Sequence, residues 1–171
     1  VGVNVKVVVT DGTQPVGRGI GPTLEAIDIL KVLKNEEDAP KDLTERALLL
    51  ATELLELSGK VEKGKGLETA REILKSGKAY EKFIAICKAQ GQFSKPVLAP
   101  YKIEIKAEKS GVLQRIDNRK IAKLAKLSGA PQSKSAGILL NVHLNEKIEI
   151  DQLLYTTYAE SKGELNYALV Y

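Results

Sequence analysis

A glycine-rich segment near the start of the chain is the first feature whose residue types could do chemistry. The stretch "TDGTQPVGRGIGPTLEA" places Gly17, Gly19 and Gly21 between a strand-like run and a helix-like run. Backbone N–H groups at a helix start bind anions, and glycine lets a phosphate approach closely. The spacing, however, is neither the G-x-G-x-x-G of dinucleotide sites nor that of the P-loop, and Pro22 removes one donor. We therefore predict a tight turn that serves packing and binds no phosphate.

The single histidine and the single cysteine lack the neighbours that catalysis or metal binding requires. His143 lies in "ILLNVHLN", where alternation places it opposite the face of Ile138 and Leu140 and predicts exposure to solvent. Cys87 lies on or beside the apolar side of a predicted helix, which indicates a buried, unreactive thiol. One histidine and one cysteine make neither a catalytic triad nor a zinc site.

Two sets of charged residues are the remaining candidates. One set is basic and spaced along a predicted short helix: Arg115, Arg119, Lys123 and Lys126. No aromatic residues interleave with it, so we interpret it as a solvated helix face and expect no nucleic-acid partner. The other set consists of carboxylates at strand and turn positions suited to solvent: Glu104, Glu108, Glu149 and Asp151. The residues by themselves complete no catalytic constellation.

Composition bounds the class of protein. The 171 residues carry a net charge of +4 and are 43% hydrophobic and 28% charged, which is typical of a globular domain. No apolar run reaches the roughly 18 residues of a membrane span, and no signal peptide is visible. One cysteine excludes an internal disulfide and fits a reducing cytoplasm, where we expect the protein to lie. The absence of methionine and the immediate strand-like opening indicate a piece of a longer chain.

The helices and strands that must position these residues fall into two parts, with a boundary near residue 97. There "GQFSKPVLAP" has two prolines and no periodicity. Alternating valines from Val3 to Val9 predict a first strand, and about four helices follow it. The second part alternates around a hairpin turn at Lys109, continues with a short helix that Asp117 or Asn118 caps, and ends in a strand or short helix. The predicted fold class is mixed, with a helix-rich first part and a small α+β second part.

Two local predictions accompany this division. Asp42 and Glu45 have the spacing of a capping box at the start of the second helix. The predicted core residues are Leu48, Leu50, Leu54, Leu55 and Phe83 in the first part, and Ile103, Ile105, Leu140 and Val142 in the second.

Four stretches, in order, resemble the thymidine/pyrimidine-nucleoside phosphorylase family over nearly the whole chain. They are "TDGTQPVGRGIGPTLEA", "SGKAYEKFIAICKAQGQ", "GVLQRIDNRKIAKLAKLSGAP" and "ILLNVHLNEKIEIDQLLYTTYAES". Within the family, "GAPQSKSAGI" and "YAESKGEL" are most similar to the archaeal AMP phosphorylases.

The resemblance implies the C-terminal portion of a pentosyltransferase. Residues 1–96 would be the tail of the phosphorylase α/β domain, and residues 97–171 the C-terminal α+β domain, with a flattened β-barrel of the barrel-sandwich kind. This barrel is akin to lipoyl carriers, but we interpret Lys109 as unmodified. The parent enzyme would cleave AMP with phosphate to free base and ribose 1,5-bisphosphate. The alternatives are a thymidine or pyrimidine nucleoside phosphorylase and, from another class, a non-catalytic packing or oligomerisation module.

The same resemblance places the catalytic and phosphate-binding residues upstream of Val1. No catalytic or cofactor-binding residue is therefore assigned here, and no cofactor is required. The one ligand set that carries over is a potassium site formed by backbone carbonyls of Val16 and Gly19 and the carboxylate of Asp28. Oxygen ligands suit such a hard cation. The expected partners of the full-length enzyme are a nucleoside monophosphate, phosphate and further copies of itself, with no membrane.

Overall fold

The apolar periodicities of the sequence produce a mixed α+β structure, as predicted. The computed structural model describes residues 2–170. Its helices are α1 (Pro22–Leu33), α2 (Lys41–Leu57), α3 (Gly66–Lys75), α4 (Lys78–Ala89), α5 (Asn118–Leu127) and α6 (Lys162–Val170). Its strands are β1 (Gly19–Ile20), β2 (Tyr101–Lys106), β3 (Gly111–Val112), β4 (Gly137–Leu140), β5 (Lys147–Ile148) and β6 (Leu153–Ala159). None of the helices in this part of the chain has the length and apolar character needed to cross a membrane.

The chain divides into two compact units. Unit 1 comprises the residues up to Asp11 together with Ile29–Ser94, and unit 2 comprises Gly12–Asp28 together with the residues from Lys95 onward. The glycine-rich segment therefore lies in unit 2, although it precedes most of unit 1 in the sequence. The assignment of residues 1–96 and 97–171 to two phosphorylase domains stays a prediction.

Unit 2 contains a four-stranded antiparallel sheet in the order β1-β4-β6-β2, and β3 and β5 form a separate two-stranded ribbon. Ile138 in β4 lies opposite Ile20 in β1 and Thr157 in β6. Within residues 2–170 the sheet is open, with β1 and β2 at its edges, so the predicted barrel is not closed.

The predicted hairpin around Lys109 is wrong. The strand before this turn, β2, pairs with β6, and the strand after it, β3, pairs with β5. Alternation predicts that a segment is a strand, but it does not identify the partner strand. All six residues of β2 pair with β6, whereas β3 has only two residues with which it could pair.

The core of unit 2 lies between its sheet and the helices α5 and α6. One cluster of buried residues comprises Leu124, Ala125, Ala130, Ile138, Leu140 and Ala168. A second cluster comprises Ala107, Val142 and Ile148. Leu140 and Val142 are buried as predicted, whereas Ile103 and Ile105 are only half-buried.

Unit 1 buries much less apolar surface than its sequence predicts. Neither α2 nor α4 contains a buried residue. Leu54 is 66% exposed, Leu50 is 45% exposed, and Leu48, Leu55 and Phe83 are only half-buried. The predicted core of the first part is therefore wrong for this chain, because helical periodicity shows which side of a helix is apolar and not what covers it.

Helix starts and the opening segment show four further outcomes. Pro22 opens α1, and Asp117 caps α5, as predicted. The capping box is wrong, because the residue before α2 is Pro40 and no side chain caps the helix. No strand forms in residues 2–10, although their valines alternate, because a strand needs a hydrogen-bonded partner.

Candidate functional site

The glycine-rich segment is fastened to unit 2 on its N-terminal side by side-chain hydrogen bonds. The amide of Asn118 donates to the carbonyl of Gly12 at 2.9 Å. The side-chain oxygen of Gln14 accepts from the backbone N–H of Leu144 at 2.9 Å. These contacts join the segment to the start of α5 and to the loop after β4, so the segment has a fixed path before its glycines begin.

The carboxylate of Asp28 in α1 is the hydrogen-bond acceptor for two backbone amides of the glycine-rich segment. Its Oδ2 accepts the backbone N–H groups of Arg18 and Gly19, each at 2.7 Å, and the residue is only 4% exposed. A buried carboxylate therefore already accepts two of the amides that an anion bound at this turn would use.

The next amides of the loop are also used inside the protein. The N–H of Gly21 donates to Oε1 of Glu25 at 3.1 Å, and the N–H of Thr23 donates to the carbonyl of Lys134 at 3.1 Å. Pro22, between them, has no N–H. These contacts favour the packing interpretation of the glycine-rich segment, and the absence of phosphate binding stays a prediction that a titration can test.

Two of the glycines are needed for close backbone approach. A Cβ at position 19 would lie 2.6 Å from the carbonyl oxygen of Leu24 and 2.8 Å from the nitrogen of Glu25. Gly21 has a φ of +131°, and a Cβ there would lie 2.5 Å from the carbonyl oxygen of Ala136. Small residues at these positions allow β1 to pair with β4 directly before α1 starts.

The proposed potassium ligands come together only in part. Gly19 and Asp28 are in direct contact, but the contact runs from an N–H donor to the carboxylate rather than from two oxygens toward a cation. Val16 is half-buried in the preceding turn. No cluster of three or more His, Cys, Asp or Glu side chains suited to a metal exists in residues 2–170. The ion at Val16, Gly19 and Asp28 stays a prediction.

A second cluster joins the two stretches that resemble AMP phosphorylases. Ser135 Oγ donates to Glu160 at 2.7 Å, and Ser133 Oγ donates to Glu164 at 3.3 Å. Glu164 also accepts the backbone N–H of Ser161 at 3.2 Å, at the start of α6. The sequence revealed the resemblance of each stretch separately, but nothing in it predicted that the two stretches are in contact. Lys134 lies between Ser133 and Ser135, and its carbonyl accepts the backbone N–H of Thr23. This cluster therefore lies next to the glycine-rich segment.

The other candidate residues remain apart from this region. His143 is exposed, as predicted, and Cys87 is half-buried rather than buried. The basic residues of the predicted stripe are exposed, which agrees with a solvated face: Arg115, Arg119, Lys123 and Lys126. The four carboxylates are exposed as well: Glu104, Glu108, Glu149 and Asp151. Glu104 accepts a hydrogen bond from Lys102 at 2.9 Å, and this bond lowers the pKa of Glu104.

Comparison with known proteins finds relatives that are similar over nearly the whole of this chain. A protein of Hahella chejuensis is 53% identical over 168 residues, 98% of this chain. A protein of Legionella pneumophila strain Corby is 53% identical over 167 residues, and one of Ralstonia nicotianae is 49% identical over 170. All three are named "Putative thymidine phosphorylase". No family model matches the chain.

The chain spans about a third of the length of these relatives: 33%, 32% and 34% respectively. The chain is therefore similar to one part of each of these proteins. The general resemblance to the phosphorylase family is confirmed, whereas the more specific assignment to AMP phosphorylases stays a prediction.

Proposed function

We propose that this chain is part of a nucleoside phosphorylase, a pentosyltransferase that cleaves thymidine or a related pyrimidine nucleoside with phosphate. The observation that carries the proposal is the 53% identity over 98% of the chain to a protein of that name. The products would be the free base and the sugar 1-phosphate.

The chemistry requires two reactants to be held together. A phosphate oxygen forms a bond to the anomeric carbon while the bond from that carbon to the base nitrogen breaks. The electron pair leaves with the base, which takes up a proton. Such a reaction depends on positioning of the two reactants and on a group that protonates the leaving base.

We assign those groups to the part of the enzyme that this chain does not cover. Among residues 2–170, the amides of the glycine-rich segment already donate to Asp28, Glu25 and Lys134. His143 is exposed on the loop after β4. The role of unit 2 is then to hold the turn between the preceding segment and α1 in a fixed shape.

A second candidate substrate is AMP, which would give adenine and ribose 1,5-bisphosphate. The observation that favours it is the resemblance of "GAPQSKSAGI" and "YAESKGEL" to archaeal AMP phosphorylases, together with the contacts of Ser133 and Ser135 with Glu164 and Glu160 that join the two stretches. On this alternative, the parent enzyme takes a nucleoside 5′-monophosphate as its partner.

The test is an assay of the longer polypeptide that contains this sequence, incubated with phosphate and either thymidine, uridine or AMP. Phosphate-dependent release of thymine or uracil supports the first substrate class, and release of adenine with ribose 1,5-bisphosphate supports the second. Release of no base from any of them contradicts both. Exchange of potassium for choline in the same assay tests the ion at Val16, Gly19 and Asp28, and light scattering tests the homo-oligomer.

A further inference from the structure

The peptide bond between Asp11 and Gly12 has the chemical features of a site of backbone rearrangement. It is the only place in the sequence where an aspartate or asparagine precedes a glycine, and every other aspartate is followed by a residue with a side chain. Glycine has no Cβ to shield its nitrogen from the carboxyl group of the residue before it. The Gly12 nitrogen is therefore less hindered than the nitrogens that follow the other aspartates.

The local structure leaves room for the Gly12 nitrogen to approach the Asp11 side chain. Both residues are exposed, and neither belongs to a helix or strand. A Cβ built at Gly12 would meet no atom within 4 Å. The approach requires a rotation of the backbone, which a helix or sheet would prevent and which an exposed glycine allows.

Arg46 of α2 favours the first chemical step. Its guanidinium donates to the carbonyl oxygen of Asp11 at 2.8 Å. This carbonyl belongs to the same peptide group as the Gly12 nitrogen. A positive charge beside the group stabilises the anion that forms when the nitrogen loses its proton, and this anion is the nucleophile.

We propose that Asp11 is a site of spontaneous modification, at which the chain converts aspartate to isoaspartate with the assistance of Arg46. The Gly12 nitrogen forms a bond to Cγ of Asp11, and the hydroxyl of the carboxyl group leaves with the amide proton as water. The product is a five-membered succinimide. Water then adds to the former backbone carbonyl carbon of Asp11, whose bond to the Gly12 nitrogen breaks. One water is lost and one is gained, so the net change is an isomerisation.

Arg46 also favours the isoaspartate product over the return to aspartate. Its hydrogen bond polarises the carbonyl carbon at which water must add to give isoaspartate. After that step, the oxygen that accepted from Arg46 belongs to a free carboxylate. A guanidinium binds a carboxylate more strongly than a neutral carbonyl. The main chain gains one methylene directly before Gly12, whose carbonyl accepts from Asn118, so conversion would disturb this contact.

The test is incubation of the folded chain at physiological temperature and neutral pH in water enriched in heavy oxygen. Peptide mapping by mass spectrometry with electron-transfer fragmentation distinguishes isoaspartate from aspartate, and heavy oxygen marks each hydrolysed succinimide. Both signals should accumulate at Asp11. The internal control is Asp38, which is exposed but is followed by Ala39. Its conversion should be at least about tenfold slower, which corresponds to a barrier about 1.4 kcal/mol higher.

Two variants separate the contributions of the glycine and the arginine. Gly12→Ala places a methyl group in open space, so the fold should be kept while conversion at Asp11 slows at least about tenfold. Arg46→Gln removes the charge and should slow conversion at least about threefold. The matched control is Arg71→Gln, since Arg71 is exposed in α3, and this variant should convert as the wild type does. Far-UV circular dichroism of each variant checks that the helices are intact.

Three outcomes would overturn the proposal. Equal rates at Asp11 and Asp38 would show that the glycine gives no advantage. Conversion in urea but not in the folded chain would show that the fold protects this bond. An unchanged rate in Arg46→Gln would show that the guanidinium takes no part. None of these measurements depends on phosphorolysis, so the result stands apart from the proposed function.

Discussion

Asp28 shows how one side chain can satisfy the backbone hydrogen-bond donors of a loop. Glycine-rich turns before helices collect backbone N–H groups that point in one direction, and those groups need an anion or another acceptor. In this chain, the carboxylate from the second turn of α1 supplies that acceptor for Arg18 and Gly19. The glycine-rich turn is thus hydrogen-bonded to its own helix, which supports the prediction that it binds no phosphate.

Removal of this carboxylate should therefore destabilise the chain without any ligand. We expect Asp28→Ala to lower the free energy of unfolding by about 2–5 kcal/mol, since the half-buried amide of Arg18 and the buried amide of Gly19 lose a carboxylate acceptor. Asp28→Asn is the control, because its amide oxygen can still accept both N–H groups, and it should cost about 1 kcal/mol. Urea titration of the two variants measures both values. A loss below about 0.5 kcal/mol for Asp28→Ala would show that the amides do not depend on this acceptor.

The glycine at position 19 should be irreplaceable for a steric reason. Because its Cβ would collide with the backbone of Leu24 and Glu25, Gly19→Ala should cost about 2–4 kcal/mol. Gly12→Ala is the matched control in the same segment, since a Cβ there meets nothing within 4 Å, and its effect should stay within about 0.5 kcal/mol. The difference in melting temperature between Gly19→Ala and Gly12→Ala should be the same with and without phosphate. A stabilisation by phosphate that sulfate does not reproduce, and that Gly19→Ala removes, would instead identify a phosphate site.

At the scale of elements, burial differs between apolar residues that the sequence pattern alike predicts or permits as core positions. Leu54 in α2 is 66% exposed, so Leu54→Ala should cost less than about 1 kcal/mol in this chain, although the leucine-rich pattern predicted a core position. Ile138 in β4 is fully buried, and Ile138→Ala should cost about 2–5 kcal/mol. Denaturant midpoints of the two variants give the comparison. Equal losses would mean that α2 is covered within the chain itself.

The cap of α5 should make part of the stability dependent on pH. The backbone N–H of Lys120 donates to the Asp117 carboxylate and holds its pKa below the ordinary value. The ionised form therefore stabilises the folded state fully above about pH 4, and this contribution is lost as the pH falls through the lower pKa of the folded state. Asp117→Asn keeps an acceptor for the cap but cannot ionise, so its melting temperature should fall less than that of the wild type on acidification from about pH 5 to pH 2. Parallel curves for the two proteins would contradict this role of the charge.

The sequence predicted local features better than long-range ones. The mixed fold class, the Asp117 cap, the start of α1 and the alternating burial around His143 all follow from a few neighbouring residues. The pairing of β2 with β6 and the contact of Glu160 and Glu164 with the serines of residues 133–135 join positions far apart, and nothing in their local pattern encodes the partner. At the glycine-rich turn, the spacing excluded the known phosphate motifs, but only the structure revealed that Asp28 accepts its amides.

At the scale of the whole molecule, the two units differ in how completely they bury their apolar residues. Unit 2 encloses two clusters of buried side chains beneath its sheet and helices. Unit 1 leaves several valines and leucines exposed, and neither α2 nor α4 contains a buried residue. Because the chain matches only about a third of the length of its relatives, our proposal assigns the catalytic groups to the part of the enzyme that the chain does not match.

The chain alone should therefore release no base from thymidine or AMP in the presence of phosphate. Among its described residues, the amides of Arg18 and Gly19 already donate to Asp28, His143 is exposed, and no cluster of three or more His, Cys, Asp or Glu side chains suited to a metal is present. Chromatographic detection of thymine, adenine and the sugar phosphates measures the release, with the intact Hahella chejuensis relative as the positive control. Base release that exceeds the phosphate-free background, persists through repurification and scales with the concentration of the chain would place catalytic groups within these residues and contradict the assignment of chemistry to the remainder of the enzyme.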